Sequence, residues 1–186
     1  MGRAKKVSDA ELLDRLLVAI GKEGPGISFA HAAKAAELAP ATLVQRFGTR
    51  EAMVESTLLH AWKQLEEATC NADVQAALDP AGAVDLLVHL TNAGSGETDF
   101  SEGLLLLRED FRNPVLRARG AKWGEQLAAA LGRRLSQDPS RAAVLGWQMA
   151  SVWQGALIWW GFTRDGQLQN NVKAVLDDWC RIVLRP

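Results

Sequence analysis

Four polar side chains fall within one short stretch near the start of the chain: Thr42, Gln45, Arg46 and Arg50. As a set they donate hydrogen bonds and carry positive charge, but they include no general base, thiol or metal ligand. A glutamine can pair with adenine through two hydrogen bonds, and an arginine can hold a phosphate. The residue types able to support catalysis are scattered instead. His31, His60 and His89 have no neighbouring cysteine or carboxylate set at metal-ligand spacing. Cys70 and Cys180 give neither a metal motif nor a disulfide framework, and are expected as reduced thiols. No Gly-x-Ser-x-Gly and no His-Glu-x-x-His occurs. The stretch GKEGPG (Gly21–Gly26) is glycine-rich but lacks the Lys-Ser/Thr ending of a phosphate loop and follows a helix pattern. The expected chemistry is recognition: no catalytic residue, no metal and no cofactor.

Charge points the same way. The net charge of −1 conceals an asymmetry: residues 1–50 hold eight Lys/Arg against five acids, and residues 51–186 hold 13 against 17. A basic head on an acidic body suits an anionic partner for the head. Arg3, Lys5 and Lys6 could follow a phosphate backbone as an arm. The N-terminal residues lack the apolar core of a signal peptide, and the most apolar run, Val152–Phe162, is too short to span a bilayer. A soluble cytoplasmic protein with no membrane partner is expected.

The elements that must position these residues are helices. Alternating runs, Asn-Gly turns and tyrosines are all missing, whereas apolar residues recur at helical spacing throughout. Ser8 or Asp9 can cap a first helix carrying Leu12, Leu13, Leu16, Leu17 and Ile20, which Gly24-Pro25-Gly26 ends. Ser28 can cap a short second helix over 29–36. After a break, Pro40 takes the first position of a third helix running to Phe47, where its fixed φ suits helix entry. Thr49 can cap a long fourth helix. Five more are expected at about 82–93, 100–112, 114–135, 140–163 and 169–184. The fold class is all-α with about nine helices.

Two short helices joined by a three-residue break form a helix-turn-helix layout. Such a motif needs small residues where its helices cross, and Ala32, Ala33, Ala36 and Leu38 supply them. Leu43 and Phe47 fit the buried side of the second helix, leaving Pro40, Ala41, Thr42, Gln45 and Arg46 on the side facing a major groove.

SFAHAAKAAELAPATLVQRFGTREAM, Ser28 to Met53, resembles the helix-turn-helix of the tetracycline-repressor (TetR-like) transcription regulators. Ser28, Ala33, Ala36, Thr42, Leu43, Phe47, Glu51 and Ala52 match that pattern without a gap. Leu38, Thr49, Arg50 and Met53 are near-equivalents. The sequence departs from it where Glu37 replaces the turn glycine, Ala39 the capping serine and Val44 the usual tyrosine.

The resemblance implies a DNA-binding head over 1–50 and a ligand-binding, dimerising bundle over 51–186. It places Ser28, Ala39, Pro40, Ala41, Thr42, Val44, Gln45, Arg46 and Arg50 at the DNA. The implied function is that of a homodimeric repressor released from a palindromic operator by a small hydrophobic effector. The three departures also leave room for a TetR-like fold with weakened or lost operator reading that serves as an interaction or ligand-sensing module.

An effector pocket in the bundle would draw on Trp62, Phe100, Leu104, Leu107, Phe111, Trp123, Leu127, Trp147 and Trp153, each of which also fits a core position. Such walls suit a flat or bulky apolar molecule, and tryptophan can stack on a cation. His89 is a candidate polar handle. The penultimate helix is apolar all the way round, so one side must find a partner. Gly146, Gly155 and Ala156 would permit close approach of a second helix. The expected dimer contacts are Gly155, Trp159, Val172, Val175, Leu176, Trp179 and Val183.

Overall fold

The computed structural model describes residues 7–93 and 99–185, with side chains described outside 92–105. Nine helices occur among these residues: α1 (Asp9–Glu23), α2 (Phe29–Ala36), α3 (Pro40–Phe47), α4 (Arg50–Gln75), α5 (Pro80–Ala93), α6 (Asp99–Arg112), α7 (Pro114–Leu135), α8 (Pro139–Thr163) and α9 (Leu168–Val183). The arm residues Arg3, Lys5 and Lys6 lie outside the described residues. Among the described residues, no helix is long and apolar enough to cross a membrane.

Four helices start with proline, which cannot donate to a preceding turn and arrives with helical φ. The residue before the proline does the capping. Asp79 accepts from the Gly82 amide at 2.8 Å, Asn113 from Val115 at 2.8 Å, and Asp138 from Ser140 at 2.9 Å. Ala39 before Pro40 breaks the pattern: it has the extended backbone of a cap but no side-chain bond. Ser8, Ser28 and Thr49 cap α1, α2 and α4 as expected, accepting from the amides of Glu11, His31 and Ala52.

The chain divides into two compact units: Met1–Leu65 with Ser101–Arg119, and Glu66–Phe100 with Gly120–Pro186. This packing division differs from the 1–50 and 51–186 division implied by the resemblance, because the first part of α4 and the junction of α6 and α7 pack with the head. The head's core is Leu12, Leu16, Ile20, Ala32, Ala33, Ala36, Leu43, Met53 and Leu58, closed by Leu116 from α7. The three alanines are fully buried, so α2 can lie close against α1 and α3.

In the second unit, α9 packs on α5 and α8. There α7 and α8 meet through glycines: a Cβ on Gly146 would stand 2.0 Å from the Ala128 carbonyl oxygen, and one on Gly132 2.3 Å from that of Ala142. Gly146 therefore serves a contact inside its own unit. Gly155 has nothing within 4 Å of its Cβ position.

Two local features of the head are suboptimal and correctable. Glu37 closes α2 with φ 57° and ψ 40°, a left-handed conformation, and the Leu38 amide donates back to the Ala33 carbonyl at 2.9 Å. This is the helix-ending arrangement in which glycine is favoured. A non-glycine residue there costs roughly 1 kcal/mol. The Glu37 carboxylate is held by Arg15 at 3.2 Å, and Arg15 also donates to the Ala36 carbonyl at 2.9 Å. The exposed ion pair offsets little of that strain. Glu37→Gly and Ala39→Ser should each stabilise the head by about 1 kcal/mol and add when combined. Urea unfolding of the single and double variants measures this, and an unchanged or lower midpoint would refute it.

Candidate DNA interface and ligand site

The α3 helix presents two sides because Leu43 is fully buried and Phe47 half-buried. Opposite them, Pro40, Ala41, Thr42, Val44, Gln45 and Arg46 are exposed, as are Ser28 and Ala39. The predicted reading residues are thus all exposed. Slim residues stand at the N-terminal end of α3, where the arrangement allows base edges to be approached. Ser28 uses an oxygen lone pair to cap α2.

The two arginines are less free than their sequence suggests. Arg46 forms an ion pair with Asp9 at the start of α1. Arg50 donates to Glu51 at 2.8 Å. The Glu51 carboxyl is held below its ordinary value of 4.5, first by a backbone hydrogen bond at the start of α4 and then by Arg50. Sequence reasoning offered Asp9 only as a cap of the first helix and missed its pairing with Arg46. The only available signal was opposite charge on residues 37 positions apart, too weak to single it out.

The predicted effector residues divide between the two units. In the first, Trp62 is half-buried on α4, and its indole N–H donates to Asp110 Oδ1 at 2.9 Å. Burial pushes the Asp110 carboxyl above its ordinary value of 3.8, only partly countered by the Trp62 bond. Leu107 and Phe111 are exposed on α6, Phe111 at 63%. Phe100 and Leu104 lie among the residues whose side chains are not described.

In the second unit, Trp123, Leu127 and Trp153 are buried. The Trp123 and Trp153 rings are tilted neighbours with centroids 6.5 Å apart. Trp123 donates to Thr69 and Trp153 to Thr91, both at 2.9 Å. Their polar atoms are therefore engaged, and what they offer a ligand is ring face and edge. Trp147 is half-exposed, with its ring 2.9 Å from where a Cβ on Gly124 would stand. His89 is exposed on α5 rather than turned into the interior.

The expected interface stripe on α9 splits. Val172 and Leu176 are fully buried in their own unit and are not available to a second copy. Val175 is exposed, and Trp179 and Val183 are intermediate. On α8, Trp159 is 69% and Phe162 78% exposed, with ring centroids 5.9 Å apart. A hollow of about 420 Å³ lies beside them, lined among others by Val152, Gly155, Trp159 and Val175. Ile158 and Phe162 on α8 are also exposed but were not among the expected contacts, because their neighbours on the all-apolar α8 gave no contrast. Ile182, near the end of the α9 stripe, is exposed as well.

A basic-tipped helix-turn-helix on a helical body is the architecture of the TetR-like transcription regulators, and the fold found here is theirs. No protein-family model matches the chain. It is 25% identical over 138 residues to the HTH-type transcriptional regulator BetI of Burkholderia ambifaria; the match covers 74% of this chain and 64% of that protein, under two thirds of its length. The TetR-family regulator PfmR of Thermus thermophilus superposes with a TM-score of 0.66 at 21% identity, covering 91% of this chain and 97% of that one. A protein of Saccharomonospora viridis described as a transcriptional regulator, in complex with choline, gives a TM-score of 0.73 at 18% identity, covering 91% and 93%.

Proposed function

We propose that this chain is a cytoplasmic, homodimeric transcriptional repressor that reads a palindromic operator through α3 and releases it when a small hydrophobic effector binds the body. Residues 1–50 then form the DNA-binding part, and residues 51–186 the ligand-binding and dimerising part. The observation that carries this reading is the α2–α3 pair: a left-handed turn at Glu37, a fully buried Leu43, and Thr42, Gln45 and Arg46 exposed together.

The exposed apolar face of α8 and α9 supports the dimer, since a two-fold pairing would cover it with its own copy. Two heads related by a two-fold axis read two half-sites, hence a palindrome. The Trp123–Trp153 pair supports an apolar effector, and a cationic one suits the ring faces. Release requires the effector to bind the two conformations with different affinity.

The test is selection of bound fragments from fragmented genomic DNA, with Gln45→Ala alongside. Enrichment of a palindromic site whose base preference shifts at one position in the variant is the expected outcome. A folded, dimeric protein that enriches nothing would overturn operator reading. It would favour the second reading, an interaction or ligand-sensing module, which the Arg46–Asp9 pair and the uncapped Ala39 support.

The Arg46–Asp9 pair yields a sharper prediction. Asp9→Asn frees the guanidinium, so operator affinity should rise several-fold. The slope of log affinity against log salt should steepen by about 0.9, the signature of one added phosphate contact. An unchanged slope would remove Arg46 from the DNA-contact set.

A further inference from the structure

We infer that the first unit holds a separate small-molecule site, a mixed-charge cleft at the base of the head that takes a small organic monocarboxylate. The cleft encloses about 550 Å³ and none of the predicted effector residues lines it. Its floor is apolar, formed by the buried Val54, Leu58 and Leu116. Most of its polar groups are already engaged. Asn113 donates to Glu55 at 2.5 Å and closes the start of α7 with its own side-chain oxygen, while Arg50 donates to Glu51.

Arg108 and Arg112 remain. They stand one turn apart on α6, both exposed at the cleft, and among the described residues neither makes a hydrogen bond or ion pair. Two guanidinium forks at one edge of an apolar floor match a planar carboxylate with an apolar tail, which they can engage through paired hydrogen bonds. Glu109 at the same rim sets the charge of the ligand. It opposes a dianion such as a phosphate monoester more strongly than a single carboxylate. The loop residues Pro25 and Gly26, just before α2, form another wall. A bound carboxylate would therefore tie α6 to the segment that leads into the helix-turn-helix, inside one compact unit.

The experiment is calorimetric titration of the full chain with benzoate, compared with benzamide and inorganic phosphate. Benzoate should bind with one site per chain, and neither comparator should match it. Arg108→Gln with Arg112→Gln should weaken benzoate at least about tenfold, the scale of one lost charge-assisted hydrogen bond. The paired lysine substitutions should lose less, because they keep the charge but not the fork. Both arginines are exposed, so the glutamine variant should keep its helical circular dichroism and melting temperature. No benzoate binding to the wild type, equal binding to the glutamine variant, or tighter binding of benzamide or phosphate would each overturn the proposal. No DNA enters the measurement, so its result is independent of operator reading.

Discussion

Gly146→Ala should destabilise the second unit by about 3 kcal/mol, although glycine-to-alanine within a helix is ordinarily stabilising by up to about 1 kcal/mol. The reversal follows from what the new methyl would meet. Its Cβ would lie 2.0 Å from the Ala128 carbonyl oxygen, 2.8 Å from that carbonyl's carbon and 3.1 Å from the Gly132 nitrogen. These are backbone atoms of α7, so no side chain can rotate away. The two helices must separate, and the contact at Gly132 against Ala142 must open with them. Leu127, Leu131, Leu145 and Met149 are buried on the same two helices, and would lose dispersion contacts as the gap opens. For a chain of this size the loss corresponds to roughly 6–12 °C in Tm.

Gly155→Ala supplies the control on the same helix. Nothing lies within 4 Å of its new Cβ, so helix propensity alone should act and raise stability by up to about 1 kcal/mol. Urea unfolding followed by tryptophan fluorescence, at several protein concentrations, separates the two. Equal effects of both substitutions would show that the α7–α8 crossing is not glycine-dependent. A concentration-dependent loss confined to Gly155→Ala would instead place that residue in the dimer contact.

These two glycines also show where sequence reading ends. Helix ends were legible because their determinants are local: a cap, a proline with preset φ, and a glycine or left-handed residue after the last turn. The ends of α2, α3 and α7 fall where the pattern placed them, and the strained position at Glu37 followed from the resemblance, whose pattern has a glycine there. Gly146 and Gly155 sit on one helix, and nothing local says which faces α7 and which faces outward. The α9 stripe likewise looked uniform, yet Val172 and Leu176 point into their own unit while Val175 and Ile182 are exposed. A period of 3.6 identifies an apolar side but not how many partners share it. The pairing of Arg46 with Asp9 and the engagement of the Trp123 and Trp153 indoles depend on groups brought together by the fold from distant positions.

Arg134 is the strongest instance, and its replacement should rank with Gly146→Ala in effect. In sequence it is one of two arginines in the last turn of α7, where a basic residue suits the helix dipole and reads as surface. In the structure its side chain is fully buried. Its five N–H groups meet five acceptors. Nε donates to the Ala77 carbonyl at 2.8 Å. Nη1 donates to Asp73 Oδ1 and the Ala130 carbonyl, both at 2.7 Å, and Nη2 to the carbonyls of Asp73 at 2.7 Å and Ala76 at 3.1 Å. The end of α4 has no basic residue of its own, so an arginine from α7 satisfies the Asp73 carbonyl of its last turn and the Ala76 and Ala77 carbonyls just beyond it.

Arg134→Met keeps comparable bulk but strips all five bonds, which should cost about 3–5 kcal/mol. Arg134→Lys, with three donors instead of a planar fork, should fall between it and the wild type. The pH dependence gives an independent check. Burial alone would raise the Asp73 carboxyl, but hydrogen bonds from Arg133 and Arg134 outweigh it and hold it below its ordinary value of 3.8. A carboxyl lowered in the folded state contributes stability above its unfolded value, and that contribution is lost as pH falls through the folded one. Wild-type stability should therefore decline below about pH 3.8 as Asp73 takes up a proton. In Arg134→Met only Arg133 remains to hold the carboxylate, so the folded value lies closer to the unfolded one and the decline should be smaller. The gap between the two proteins should also narrow in acid without closing, because the carbonyl bonds do not titrate. A gap independent of pH would mean that Asp73 takes no part in the clamp, and no gap at any pH would mean that the clamp contributes nothing to stability.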